Sequence, residues 1–159
     1  MEFNEVISSR RSVRKYRRET VPEDKLQKLF AALNLAPSGN NHQPYRFIFV
    51  TEEEKRRRIA SEACHQEFLF EAPVLMVACC EQGRSFDTAI AVDHLVLAAV
   101  NEGLGTCWVG WFERDAVRKI LHIPDSLEIP ILIPIGYTDE HPAARPRKPW
   151  ETLVSLNVI

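Results

Sequence analysis

The sequence has no CxxC pair, no unbroken apolar run long enough for a membrane span, and no large excess of charge of either sign. Its four cysteines, Cys64, Cys79, Cys80 and Cys107, follow no regular spacing, so no disulfide framework is expected. Zinc held by Cys64, His65, Cys79 and Cys80 is one reading of that group. Buried thiols in core strands are the plainer one, because adjacent strand residues point to opposite faces. The most apolar stretch is interrupted by Asp93 and His94, which argues against a membrane span. Met1-Glu2-Phe3 opens no signal-like apolar segment, so a reduced cytoplasmic protein is expected. A net charge of −2 argues against a chain that binds nucleic acid or membrane surfaces as a whole. Any anion site must come from charge clustered locally. There is no internal repeat, no GxGxxG or P-loop, and no supported Ser/His/Asp or Cys/His arrangement.

What is present suits one folded domain, residues 1–159, with 45% hydrophobic and 26% charged residues. Residues 3–9 read as a short helix, followed by an extended basic stretch, RRSVRKYRR, at 10–18. Pro22 suits the first position of a helix to about Ala36, with Leu26, Leu29, Phe30 and Leu33 on one face. A turn-rich loop, Pro37 to Pro44, leads into a strand at Tyr45–Val50. A charged helix from Glu52 to about Cys64 precedes a buried strand at Val74–Cys80. Phe86 to Glu102 is apolar on nearly every face, the pattern of a helix buried on several sides and stopped by Gly103. A strand at Thr106–Val109, a helix at Glu113–Leu121 and a strand at Ile129–Ile135 follow. Pro130 and Pro134 make that last strand an edge or irregular one. The tail HPAARPRKPW is too proline-rich for regular structure, and Leu153 to Ile159 alternates weakly. Interleaved helices and strands indicate an α/β fold, a sheet covered by helices.

Four segments hold groups suited to chemistry. In an extended chain Arg10, Ser12 and Arg14 share a face, which converges two guanidinium forks and a hydroxyl. That set matches a phosphate monoester. A solvated basic strand, or a nucleic-acid patch with Lys15, Arg17 and Arg18, is equally open at this level. APSGNNHQPYRF at 36–47 crowds Asn40, Asn41 and Gln43 behind a tight Pro37-Ser38-Gly39 turn. Amides there could read a neutral heterocycle, or the loop could simply be polar. In GLGTCWVGW at 103–111, Gly110 would let a backbone N–H approach a flat ligand, while Trp108, Trp111 and Phe112 are stacking wall or core. Arg145, Arg147 and Lys148 sit in the proline-rich tail, which can present the two arginines with little ordering cost, solvent exposure being the default reading. Asp87, Asp93 and His94, on the apolar helix, read as structural or interface groups, with Asp87 placed to suit the helix dipole.

Together and in this order, RRSVR at 10–14, APSGNNHQPYRF at 36–47, EAPVLMVACC at 71–80, GLGTCWVGWF at 103–112, and IPIGY with RPRKP at 133–149 resemble the nitroreductase-like flavoenzymes. The resemblance implies a three-layer α/β sandwich, a mainly antiparallel central sheet flanked by helices, built as an intertwined homodimer with FMN at the subunit interface. It implies that Arg10, Arg11, Ser12 and Arg14 hold the flavin phosphate and ribityl chain, and that Arg145 and Arg147 close on the phosphate. Pro37, Ser38, Gly39, Asn41 and Gln43 match the loop supplied by the partner subunit. Trp108, Val109 and Gly110 match the segment that covers one ring face and presents an N–H to N5. The implied activity is NAD(P)H-driven two-electron reduction of a quinone, nitroaromatic or related small-molecule acceptor, in alternating half-reactions at N5. No protein nucleophile or metal is needed, because the flavin carries the electrons. A dehalogenase, a ring-oxidising synthase or a non-catalytic flavin-binding module are the alternatives on this fold. The chain is short between its first two strands, where Phe68 and Phe70, with Trp111 and Phe112, are candidates for an aromatic channel wall.

Overall fold

Adjacent apolar residues point to opposite faces of the strands, and helices cover both faces of the sheet that results. The computed structural model describes residues 1–157. The elements are α1 (Phe3–Ser9), α2 (Glu23–Leu35), β1 (Tyr45–Val50), α3 (Glu53–Arg58), α4 (Phe68–Glu71), β2 (Val74–Glu81), α5 (Ser85–Asn101), β3 (Gly105–Thr106), α6 (Arg114–Leu121) and β4 (Leu127–Gly136). Short 3₁₀ turns lie at Gly39–Asn41 and Trp150–Thr152. The strands pair antiparallel throughout, in the order β1-β2-β4-β3.

Leu75, Val77 and Cys79 of β2 join Leu132 of β4 in a core beneath α4, α6 and residues 59–64. Val74, Met76 and Ala78 join Ile133 and Ile135 in a second core under α2 and α5. A period of two thus splits one hydrophobic run between two cores, which makes the three layers. Each fully buried aliphatic side chain contributes about 1.5–3 kcal/mol.

Most expected elements appear within a residue or two, and the departures have local causes. Pro22 caps α2 rather than opening it. The charged helix widens after Arg58 into a π-helical turn, Ile59–Cys64, closed by His65 at φ 51°. The strand expected at Thr106–Val109 pairs only at its ends. Gly105 and Thr106 lie against Gly136 and Ile135, and Val109 exchanges two 3.0 Å hydrogen bonds with Leu132. β4 is interior, not an edge. Its irregularity is real, since the register slips between Ala78 and Cys80 and leaves Ile129 and Pro130 opposite Cys79. Because Leu132 bonds toward β3, position 134 also faces that side, where pairing lapses between Thr106 and Val109. A residue without an N–H therefore loses no ladder bond there.

α5 is covered on one broad face, not on several sides. Ala91, Val92, Leu95, Val96 and Ala99 are fully buried, whereas Phe86, Asp93 and His94 are exposed. Gly103 ends the helix at φ 74° as expected. The weakly alternating segment at 153–159 forms no strand up to residue 157, and its last two residues lie outside the described ones. All four cysteines are free and buried, and no metal-binding cluster occurs among the described residues. Cys79 lies in the core beneath α6 with Cys64 and Cys107, and Cys80 lies within reach of Glu128.

Candidate flavin-phosphate site

Val13 and Tyr16 anchor the basic N-terminal stretch by pointing into the protein. Val13 N–H donates to Thr106 O at 2.9 Å, which docks the stretch beside β3. The first half of the stretch meets the proline-rich arm across a cleft of about 510 Å³. Arg10, Arg11, Ser12, Arg14, Arg145 and Arg147 line it. The N-terminal set and the C-terminal pair, more than 130 positions apart in sequence, therefore share one surface.

Among the described residues, none of these five arginines is ion-paired. Two unit charges 4 Å apart repel by about 1 kcal/mol even in water, and by more where solvent is excluded. Gathering five guanidiniums with no carboxylate paired to any of them favours an anion among them. Arg11 is the most telling. Its Nη1 donates to Ser8 O and Arg10 O, both at 2.8 Å. Its Nε is the one buried side-chain nitrogen or oxygen without a partner among the described residues. A buried donor left open costs about 1–3 kcal/mol. The donor set (guanidinium forks, a hydroxyl and an orphaned N–H) fits a phosphate monoester.

Behind the clamp lies Cys107, whose thiol is pushed above its ordinary range chiefly by burial, against the opposing pull of Arg14, Ser12 and Arg10. It is therefore a neutral packing group rather than a nucleophile.

The other two expected groups face elsewhere in this chain. The loop Gly39–Asn41 and its flanks are held internally: Gln43 N–H donates to Ser38 Oγ at 2.9 Å, and Gln43 Nε2 to Asn41 Oδ1 at 3.2 Å. Asn40, Asn41 and Gln43 all sit at positive φ, between 50° and 55°, a conformation that costs non-glycine residues about 1 kcal/mol or more. Asp87, 8% exposed, holds the loop by accepting Gly39 N–H at 2.9 Å. Residues 36–47 contain no signal for that partner. The only cue was an acid on an apolar helix. Gln43 lines a different groove, of about 560 Å³, with Phe30, Tyr45, Phe47 and Phe49. Pro37 and Ser38 lead into the loop and line neither groove nor cleft.

Trp108 borders a third hollow, with Phe86, Pro130 and Ile131. Val109 N–H is committed to Leu132 O, which leaves the N–H groups of half-buried Trp108 and exposed Gly110 as the free backbone donors of that segment among the described residues. Of the proposed channel aromatics, Phe112 is core at 5% exposure and Trp111 is 89% exposed. Phe68 and Phe70 are half-buried against the core, Phe70 beneath the Arg18 and Arg56 guanidiniums. Phe112 therefore lines no channel.

A family model described as "Putative TM nitroreductase" matches residues 2–159. The chain belongs to the nitroreductase family. Among its curated relatives, a "Putative NADH dehydrogenase/NAD(P)H nitroreductase" of Methanothermobacter thermautotrophicus is 31% identical over 91% of this chain and 82% of that one. The iodotyrosine deiodinase of Thermotoga neapolitana is 28% identical over 98% and 97%. A solved iodotyrosine deiodinase bound to FMN and 3-iodo-L-tyrosine superposes with a TM-score of 0.91 at 26% identity, covering 99% and 100%. The nitroreductase fold is thus shared by enzymes with different named activities, so family membership does not choose the acceptor.

Proposed function

We propose that this nitroreductase-family chain is an FMN-dependent oxidoreductase that takes electrons from NADH or NADPH and passes them to a quinone, nitroaromatic or related small molecule. The observation that carries the reading is the cleft of five unpaired arginines with the orphaned Arg11 Nε, which suits the terminal phosphate of FMN. FMN, when bound, supplies the two-electron chemistry itself. The chain's residues bind and orient. Arg10, Arg11, Ser12, Arg14, Arg145 and Arg147 hold the phosphate end, and Gly110 N–H donates toward the ring.

The ring-side loop, Pro37, Ser38, Gly39, Asn41 and Gln43, is assigned to the second subunit of a homodimer. Two observations support this. The loop and the phosphate cleft face different hollows within one chain. Phe3, Ile7, Phe86 and Trp111 also leave large apolar area exposed. No helix among the described residues is long and apolar enough to cross a membrane. Four unpaired thiols suit a reducing compartment such as the cytoplasm.

The absorption spectrum of the purified protein tests the cofactor. Bound-flavin bands are expected, and they are lost in an Arg10→Ala/Arg14→Ala variant. A colourless wild-type protein that takes up no added FMN ends the proposal. A second reading, reductive dehalogenation, is favoured by the end-to-end match to the iodotyrosine deiodinase relative, which covers 98% of this chain and 97% of that one. Turnover of menadione and nitrofurazone against that of an iodinated phenol separates the two.

A further inference from the structure

We propose that Glu140 is a positioning residue for the phosphate cleft, latching the arm that carries Arg145 and Arg147 onto the backbone of the N-terminal clamp. This rests on the reading of the cleft as the site of a flavin phosphate.

After β4 ends at Gly136, the chain runs beside residues 14–17 and is tied to them step by step. Tyr137 O accepts Arg17 N–H at 2.9 Å. The Thr138 hydroxyl donates to Lys15 O at 2.6 Å and accepts Glu140 N–H at 2.9 Å. The Glu140 carboxylate then accepts Arg14 N–H at 2.8 Å. Glu140 is the last residue so tied. From His141 to Pro149 the chain has no regular structure, and no residue there exchanges a hydrogen bond with the N-terminal stretch among the described residues. Yet Pro142, Ala143, Ala144, Arg145 and Arg147 line the cleft opposite Arg10 and Ser12.

Prolines at 142, 146 and 149 stiffen the arm, so the direction in which it leaves Glu140 carries through to its arginines. Charge alone would drive the arm away, because Arg145 and Arg147 approach three other guanidiniums. The hydrogen bond from Arg14 N–H to the Glu140 side chain fixes the pivot against that repulsion. Asp139, the neighbouring acid, cannot substitute. It is exposed and reaches only Arg17, at 3.8 Å.

The latch acts on the phosphate end of a ligand and not on its ring, which makes it separable from general loss of structure. Dissociation constants of FMN and of riboflavin, the same ring without the phosphate, are measured on Glu140→Ala, Glu140→Gln, Thr138→Val and Asp139→Ala. Cofactor-free samples of each are also digested with trypsin. The bonds after Arg145 and Lys148 precede proline and resist trypsin, so cleavage after Arg147 reports how freely the arm moves.

Glu140→Ala is expected to weaken FMN at least tenfold, about 1.4 kcal/mol, to leave riboflavin within about twofold, and to speed cleavage after Arg147 several-fold. Thr138→Val moves both readouts the same way. Glu140→Gln, whose amide oxygen still accepts Arg14 N–H, restores them, and Asp139→Ala resembles wild type. The latch is overturned if Glu140→Ala weakens FMN and riboflavin equally, or if Gln fails to restore. Unchanged cleavage overturns it as well. If wild type binds neither flavin, the functional reading fails, and the cleavage rates alone decide the latch.

Discussion

Arg11 shows at the scale of one residue how a structural cost and a binding site coincide. Its guanidinium is curled back on Ser8 and Arg10, yet Nε is buried without an acceptor. Arg11→Gln is expected to weaken FMN about tenfold, the value of one hydrogen bond to a charged group, while riboflavin binds as before. Isothermal titration checks both. Gly136 is fixed by packing instead. A Cβ there would lie 2.5 Å from Pro73 Cδ, part of a ring that cannot swing aside. Gly136→Ala should lower stability by about 1–3 kcal/mol, read from urea unfolding. The buried thiols set a pH dependence. Burial pushes Cys64 from its ordinary 9.0 up to about 12 and Cys79 up to about 11. The folded chain therefore holds protons that the unfolded chain has lost, and stability falls as pH rises from about 9 toward 11. Tyr16, raised by burial, adds loss in the same direction once pH passes 10.0. Urea midpoints should decline across that window, and less steeply in a Cys64→Ala/Cys79→Ala variant.

The elements differ in how much of their form was legible. β1 and β2 could be read because alternation and β-branching act locally, and their bounds match the structure to within a residue. β4 could not be placed, since its prolines suggested an edge while their tolerance depends on where the neighbouring strand stops pairing. The Gly39–Asn41 turn was legible as a turn but not as a strained one. Its left-handed residues are stabilised by Asp87, 48 positions away. Asp87→Ala leaves Gly39 N–H without its acceptor and should cost about 1–3 kcal/mol in thermal or urea unfolding. Because that loop is assigned to the ring, Asp87→Ala is expected to weaken FMN and riboflavin alike. Glu140→Ala should weaken FMN alone. The two variants thus separate the ring side from the phosphate side.

For the whole molecule, the proposed homodimer follows from what one chain leaves uncovered. Phe86 at the start of α5 is 78% exposed and Trp111 is 89% exposed, areas that a water-facing surface seldom offers together. In sedimentation the wild type is expected at twice the 18.2 kDa chain mass, and Phe86→Glu should shift it to the chain mass with loss of flavin colour. A wild type that runs as a flavin-loaded monomer would overturn the dimer. Sequence by itself determined the element types, the two-sided strands, the glycine stop of α5 and the basic character of residues 10–18, because local periodicity and backbone sterics set them. In order along the chain, its motifs also pointed to the nitroreductase family. Tertiary structure alone decided that the N-terminal arginines and the C-terminal arm face one cleft, that Phe112 is core, and that α5 keeps an open flank. Those outcomes depend on how separate segments meet, and neither charge nor periodicity within a segment records which distant segment will cover it.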